Sequence, residues 1–217
     1  LTDLAPLFRL RLRTPRLELR LPARAELDEL RQVALAGIHP PEFMPFGVAW
    51  TDDPELSDFL DFHEGQLAAW RRDDWNLNLG VWFEGAPAGT QSVHGRDFPA
   101  TKAIGTGSWL GARFQGRGIG TEMRAAALEL AFRGLGAEVA RSGAIDGNEA
   151  SLRVSEKLGY RIVGHSTVAP RGEELDHADL ELRREEWRPP FPVEIEGLEG
   201  CLPLFGLGDR EDPSLAE

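Results

Sequence analysis

The sequence predicts an α/β fold, with strands and helices interleaved along most of the chain. Three observations carry this reading. Apolar alternation and apolar stripes at spacings of three and four follow one another in the order β-α-α-β-β-β-α-β-α-β-β. Two pairs of strands are joined by short turn segments, as hairpins are. An apolar run ending at Leu110 passes through a glycine-rich turn, Gln115-Gly116-Arg117-Gly118-Ile119-Gly120-Thr121, into an amphipathic helix.

Taken in order, Leu1 to Pro15 is a basic-apolar lead-in. Arg16 to Leu21 alternates Leu17, Leu19 and Leu21 with charged residues, a half-buried strand. Ala23 to Ala36 is a helix with Leu27, Leu30 and Ala34 on one face. Gly37 to Thr51, rich in Pro and aromatics, is too apolar for a plain solvent-exposed link. Thr51 is placed to cap the next helix, with Pro54 in its first turn. Leu56, Phe59, Leu60, His63, Leu67 and Trp70 form that helix's apolar stripe, which makes His63 a core histidine.

Trp75 to Phe83 and Ala88 to His94 are a hairpin around Glu84-Gly85-Ala86-Pro87, and Arg96 to Thr101 is a loop. Lys102 to Leu110 is the strand feeding the glycine turn. Gly118 to Gly134 is the helix after it, with Met123, Ala126, Ala127, Leu130 and Ala131 inward. Glu138 to Ala144 is a strand and Asn148 to Leu158 a helix stopped by Gly159. Tyr160 to Val168 and Leu175 to Leu182 close the domain as a hairpin. Residues 1–187 are therefore read as one domain. Residues 188–217 are an extension, apolar enough to dock as far as Gly206 and disordered from Asp209 on.

The glycine turn carries the chemistry. Glycines turn the backbone at positive φ and leave no Cβ in the way of a ligand. The amides of such a turn, with those opening a helix, bind anions, and Arg113, Arg117 and Arg124 add positive charge. No Lys follows the glycines, which excludes the P-loop. Thr121 stands where a dinucleotide loop needs its third Gly, which excludes that fingerprint too. Net charge is −12 over 217 residues, a poor balance for nucleic acid and a favourable one for a cationic acceptor. Cys201 is the single cysteine, so neither a disulfide framework nor a cysteine metal site is expected. His177 and Asp179 alternate on one strand face, but two ligands do not make a metal site, and no metal is expected. Without a membrane-length apolar run or a signal-peptide pattern, the expected compartment is the cytoplasm, with no membrane partner.

The phrase Gln115-Gly116-Arg117-Gly118-Ile119-Gly120-Thr121 resembles the pyrophosphate loop of the GCN5-related N-acetyltransferases (GNAT). The resemblance continues through Met123 to Leu128, Asn148-Glu149-Ala150-Ser151 and Glu156-Lys157-Leu158-Gly159-Tyr160. Together with Leu12-Arg13-Thr14-Pro15-Arg16-Leu17, it is most similar to the branch typified by ribosomal-protein N-terminal acetyltransferases.

This resemblance implies a mixed, mainly antiparallel sheet splayed between its fourth and fifth strands, here Ile104–Gly111 and Glu138–Ala144. Acetyl-CoA, or another acyl-CoA such as succinyl-CoA, would lie in the gap. Trp109, Leu110 and Ala112 would flank the pantetheine. The amides from Gln115 through Gly116, Arg117, Gly118 and Ile119 to Gly120 would take the pyrophosphate. Thr121 either adds a hydroxyl to a phosphate or simply starts the helix. Asn148, with Ser151 nearby, either bonds the pantetheine or caps its helix, or does both. An N–H near Leu110 or Gly111 would polarise the thioester carbonyl.

Ser155 occupies the family's usual tyrosine position and is the candidate donor to the leaving thiolate; Tyr160 reads as a core aromatic. Gly105 stands where many relatives carry a glutamate base. His94, Asp97, Glu84 or a water oriented by Ser108 are the alternatives. The Gly37–Thr51 loop would form part of the acceptor wall. The implied activity is acyl transfer to a primary amine by direct attack in a ternary complex. The acceptor is a protein N-terminus, a lysine, or a small amine such as an aminoglycoside or polyamine. Small residues at Gly105, Gly107 and Gly111 suggest room for a longer acyl group. A non-catalytic acyl-CoA-binding or regulatory module is the alternative function. The aromatic loop and the extension are the material for a homo-oligomer.

Overall fold

A computed structural model describes residues 2–208. The segment Asp209–Glu217, expected to be disordered, lies outside the described residues. One nine-stranded sheet runs in the order β7-β8-β6-β5-β4-β3-β2-β1-β9. Its strands are β1 (Arg11–Arg13), β2 (Leu17–Arg20), β3 (Asp74–Phe83), β4 (Ala86–Arg96), β5 (Ala103–Leu110), β6 (Val139–Ile145), β7 (Arg161–Val168), β8 (Leu175–Arg183) and β9 (Glu194–Glu196). Every neighbouring pair is antiparallel except β5 with β6. The helices are α1 (Arg24–Leu35), α2 (Phe59–Ala68), the short α3 (Phe98–Thr101), α4 (Ile119–Glu129) and α5 (Glu149–Lys157).

Helix α4 is the centre of the larger core. All its residues except Gly120 and Thr121 are buried. The run Ala125-Ala126-Ala127 lets it lie close to the sheet while the C-terminal segment covers its other side. There a Cβ on Gly134 would stand 2.8 Å from Leu198. The smaller core lies on the other sheet face, where Leu27, Leu30 and Ala34 of α1 pack with Ile38, Leu56 and Phe59. Trp109 packs against this cluster, with Phe46 and Trp50 of the aromatic loop.

Several expectations are revised. The lead-in contributes a 3-10 turn at Ala5–Arg9 and then β1. Strand β1 receives the extension's β9 at the sheet edge through Leu12 opposite Ile195. Thr51 caps no helix: its hydroxyl lies 2.7 Å from His39 Nε2. Leu56, at φ 47°, interrupts any helix running on from Thr51, and α2 begins only at Phe59. The Arg96–Thr101 loop contains α3, and Leu130–Gly134 closes α4's line with a π-helical turn. The β3–β4 turn is tighter than four residues: Glu84 (φ 51°) and Gly85 (φ 82°) alone make it, the positive pair that matches strand twist.

His63 is buried at 7% exposure against Phe59 and Phe62. Burial pushes its imidazole from the ordinary 6.5 down to about 4. An unfolded chain takes up this proton as pH falls through 6.5, whereas the native state resists until about 4. Stability therefore declines across that window as pH is lowered, by about 3 kcal/mol for this residue. His63→Phe should flatten the dependence of denaturation midpoint on pH between those limits. An unchanged slope relative to the parent would refute it.

Candidate active site

The parallel pairing of β5 with β6 lasts for three residues only, Ala103–Gly105 opposite Val139–Arg141. Beyond it β5 continues on β4 as far as Leu110, and β6 continues on β8 as far as Ile145. The two strands thus separate into a V whose apex is Gly105/Arg141. The Thr106 hydroxyl, 3.4 Å from the Arg141 carbonyl, occupies the point of divergence. Gly111 gives its N–H to Ala88 C=O on β4 (2.9 Å). Backbone groups alternate along a strand, so Ser108 and Leu110 direct theirs into the gap. These amides, free of a strand partner, suit a ligand carrying amides of its own.

A cleft of about 510 Å³ follows this gap. Its walls are Thr106 to Leu110, Ser142, Gly143 and Ile145, with Met123 and Arg124 of α4. Asn148 to Ser151 and Val154 close one side, and Ile38 to Pro40, Phe43 and Pro45 to Gly47 the other. Arg171, on the β7–β8 turn, donates to Asp52 Oδ2 (2.8 Å) and to Pro41 C=O (2.9 Å). This ties the aromatic loop to the hairpin across the mouth of the gap.

At the glycine turn, Gly116 (φ 71°) and Gly118 (φ 78°) take the left-handed backbone that this tight turn requires. The first bond of α4 is Glu122 N–H to Gly118 C=O. The amides of Ile119, Gly120 and Thr121 thus precede the helical ladder. The N-terminal phrase braces this loop. Arg16 donates from Nε to Glu122 Oε2 (2.7 Å) and from Nη1 to Arg117 C=O (3.1 Å). The Thr14 hydroxyl and the Arg16 N–H bond Glu122 Oε1 at 2.6 and 3.1 Å.

The named site residues divide. Trp109, Leu110, Gly120, Asn148 and Ser151 line the cleft. Asn148 is also the cap of α5, its Oδ1 accepting from Ser151 N–H (3.1 Å). Three amides are already used within the chain: Ala112 gives its N–H to Gly37 C=O, Gln115 to Ala112 C=O, and Gly111 as above. The Gln115 side chain clasps Ile38 C=O (2.7 Å) and Leu110 C=O (2.8 Å). Thr121 faces Pro15, Arg16 and Lys157, outside the cleft. Ser155 is 1% exposed and gives its hydroxyl hydrogen to Ser151 C=O (3.0 Å). Of the base candidates, Glu84 sits in the β3–β4 turn and Asp97 at the start of α3, neither on the cleft.

The face of the gap away from α4 carries two histidines. The His94 ring covers Gly105, with Nε2 2.1 Å from where a Cβ would stand. Burial against the strand, and then Arg96, push this imidazole below the ordinary range. His177, on β8, covers Gly143 on β6 in the same way, at 2.0 Å from Cε1 and 2.3 Å from Nε2. Its Nδ1 lies 3.1 Å from Asp179 Oδ1 and 3.3 Å from Ser166 Oγ. With Nδ1–H given to the carboxylate, Nε2 keeps its lone pair. Sequence reasoning saw the His177–Asp179 alternation, but its link to the gap came only with the β6–β8 register.

A V-shaped strand gap beside an amide-rich loop is the arrangement that the resemblance to the GNAT family implied. The family model for the acetyltransferase (GNAT) domain matches residues 16–161, more than half of the chain. The chain belongs to this family and is an N-acetyltransferase by its membership. It is 28% identical over 143 residues to the Bacillus subtilis protein named "Putative ribosomal N-acetyltransferase YdaF", covering 64% of this chain and 76% of that protein. Among solved structures, Mycobacterium smegmatis RimJ in complex with CoA-disulfide superposes with a TM-score of 0.68 at 18% identity, covering 91% of this chain and 95% of that one. A RimL ribosomal L7/L12 alpha-N-protein acetyltransferase in complex with coenzyme A gives 0.62 at 21%, covering 78% and 95%. No helix among the described residues is long and apolar enough to cross a membrane.

Proposed function

We propose that this protein transfers an acetyl group from acetyl-CoA to the α-amine of a protein N-terminus, within a ternary complex. The single observation that carries this is the gap beyond Gly105 and Arg141. It offers strand amides and the glycine turn on the α4 side, and an imidazole paired with a carboxylate on the other. The pyrophosphate takes the amides of residues 116–121, and the pantetheine runs along Ser108 to Leu110 and past Asn148. The Ser108 or Leu110 N–H polarises the thioester carbonyl. His177 Nε2 accepts the amine's proton while Asp179 holds the ring. The protein acceptor is supported by the names of the relatives and by the acidic chain, with net charge −12.

Support for acetyl over a longer acyl group comes from the packing at two of the three glycines. The space beside Gly105 is filled by His94 (2.1 Å) and beside Gly111 by Val33 Cγ1 (2.5 Å), while Gly107 has only Ser92 Oγ near it, at 3.1 Å. The room suggested at Gly105 and Gly111 is therefore taken up by neighbouring side chains.

The test incubates the protein with acetyl-CoA or succinyl-CoA and three acceptors: a peptide with a free α-amine, the same peptide N-terminally blocked but containing lysine, and a polyamine. Free thiol and product mass are followed. Acetylation of the free α-amine is expected. Turnover confined to the blocked peptide, to the polyamine or to succinyl-CoA overturns the reading, as does thiol release from none.

A further inference from the structure

Arg124 is the second residue of interest inside the cleft. It sits on α4 at 5% exposure, and no carboxylate pairs with it among the described residues. Its bonds go to two hydroxyl oxygens: Nη1 to Ser155 Oγ (2.9 Å) and Nη2 to Ser108 Oγ (3.2 Å). Its Nε is buried with no partner at all. The ionisable group beside it is Tyr160, whose phenol burial pushes up and so keeps neutral. A guanidinium does not shed its proton, and a buried charge without a counter-ion is costly. The arrangement fits a site where an anion arrives with the ligand or forms during the reaction.

Acetyl-CoA brings a pyrophosphate, but that group has the amides at the start of α4. Arg124 is anchored instead to Ser108 on β5 and Ser155 on α5. Close by, Thr106 and Tyr160 approach each other to 3.5 Å at the narrow end of the V. With the thioester carbonyl on the Ser108 N–H, as in the reading above, the anion that would form beside Arg124 is the departing thiolate. The Ser155 hydroxyl gives its hydrogen to Ser151 C=O, an arrangement that leaves none for the thiolate.

Building on the acetyl-CoA reading above, we propose that Arg124 is a catalytic residue that receives the coenzyme A thiolate as the thioester breaks. The amine lone pair attacks the carbonyl carbon, and the amine's proton passes to the base. The tetrahedral adduct collapses, the C–S electron pair stays on sulfur, and the amide is left behind. Arg124 keeps its own proton throughout. The thiolate is held by the guanidinium, with the Ser108 hydroxyl free to add its hydrogen, and takes a proton from water on release. A fixed charge thus replaces an acid at this position.

The decisive measurement is the titration of bound coenzyme A, followed by thiolate ultraviolet absorbance against a desulfo-coenzyme A complex as blank. An ordinary thiol titrates near about 8.5. Bound to the wild-type protein, the thiol is expected to ionise about 1–3 pH units lower, as beside an adjacent cation. Arg124→Met should return it to the free value, and Arg124→Lys should restore part of the shift. Turnover of Arg124→Met should fall on the order of 10²–10³-fold with acetyl-CoA and equally with any longer donor, while binding of coenzyme A at acid pH holds. If Arg124→Met does not fold, the wild-type and Arg124→Lys titrations decide. A wild-type thiol that titrates with free coenzyme A overturns the proposal. So does a loss confined to succinyl-CoA, which would assign Arg124 to an acyl carboxylate. Failure of the wild-type protein to bind coenzyme A would instead sink the acetyl-CoA reading itself.

Discussion

Arg16→Met should lower stability by about 3 kcal/mol and weaken acetyl-CoA binding together. The cost arises mainly at its partner. The Glu122 side chain is 5% exposed, and Arg16, 40% exposed, is the charge that compensates it. Removing Arg16 leaves a carboxylate inside the protein with only the Thr14 hydroxyl and one backbone N–H. The solvent reaching Arg16 argues for the low end of the range for a broken buried pair. The same substitution releases Arg117 C=O, to which Arg16 Nη1 is bonded, so the glycine turn loses a brace. The check is a denaturant midpoint alongside a titration with coenzyme A. Arg16→Lys should recover part of the stability and little of the binding, because a point charge cannot reach Glu122 and Arg117 C=O at once. Loss of stability with unchanged affinity would separate the N-terminal phrase from the loop and refute the coupling.

That coupling marks the limit of what the sequence discloses. The glycine turn is legible as a turn because Gly116 and Gly118 supply the left-handed backbone that it needs. The interior position of His63 is legible from helical periodicity. No local pattern pairs Glu122 with Arg16; only the fold brings the two together across 106 residues of sequence. Thr51 has the chemistry of a cap, yet Leu56 at φ 47° breaks the helix that it would have capped. Ser155 stands at an informative position, but where its one hydrogen goes depends on how α5 packs against Arg124. Gly105 reads as the loss of a carboxylate; in three dimensions it is the space that His94 fills. In each case local pattern gives the residue's capability, and long-range register decides what it meets.

His177→Ala should reduce kcat by about 10²–10⁴-fold with little change in affinity for acetyl-CoA. The ring lies on the face of the gap opposite α4, so its removal leaves the loop amides and the pantetheine wall in place. A base must be unprotonated to act. Asp179→Asn keeps the volume but removes the carboxylate that holds Nδ1–H, so it should cost less than His177→Ala while still lowering kcat. Gly143→Ala tests the same group sterically. Its new Cβ would stand 2.0 Å from the ring's Cε1, so the imidazole must leave its seat and the rate should fall toward that of His177→Ala. His94 is the internal control, because burial and Arg96 already hold it below the ordinary histidine range, where it is the weaker base. His94→Ala should cost about tenfold or less. If His94→Ala lowers kcat more than His177→Ala does, the base is the imidazole over Gly105, and the assignment to His177 is wrong.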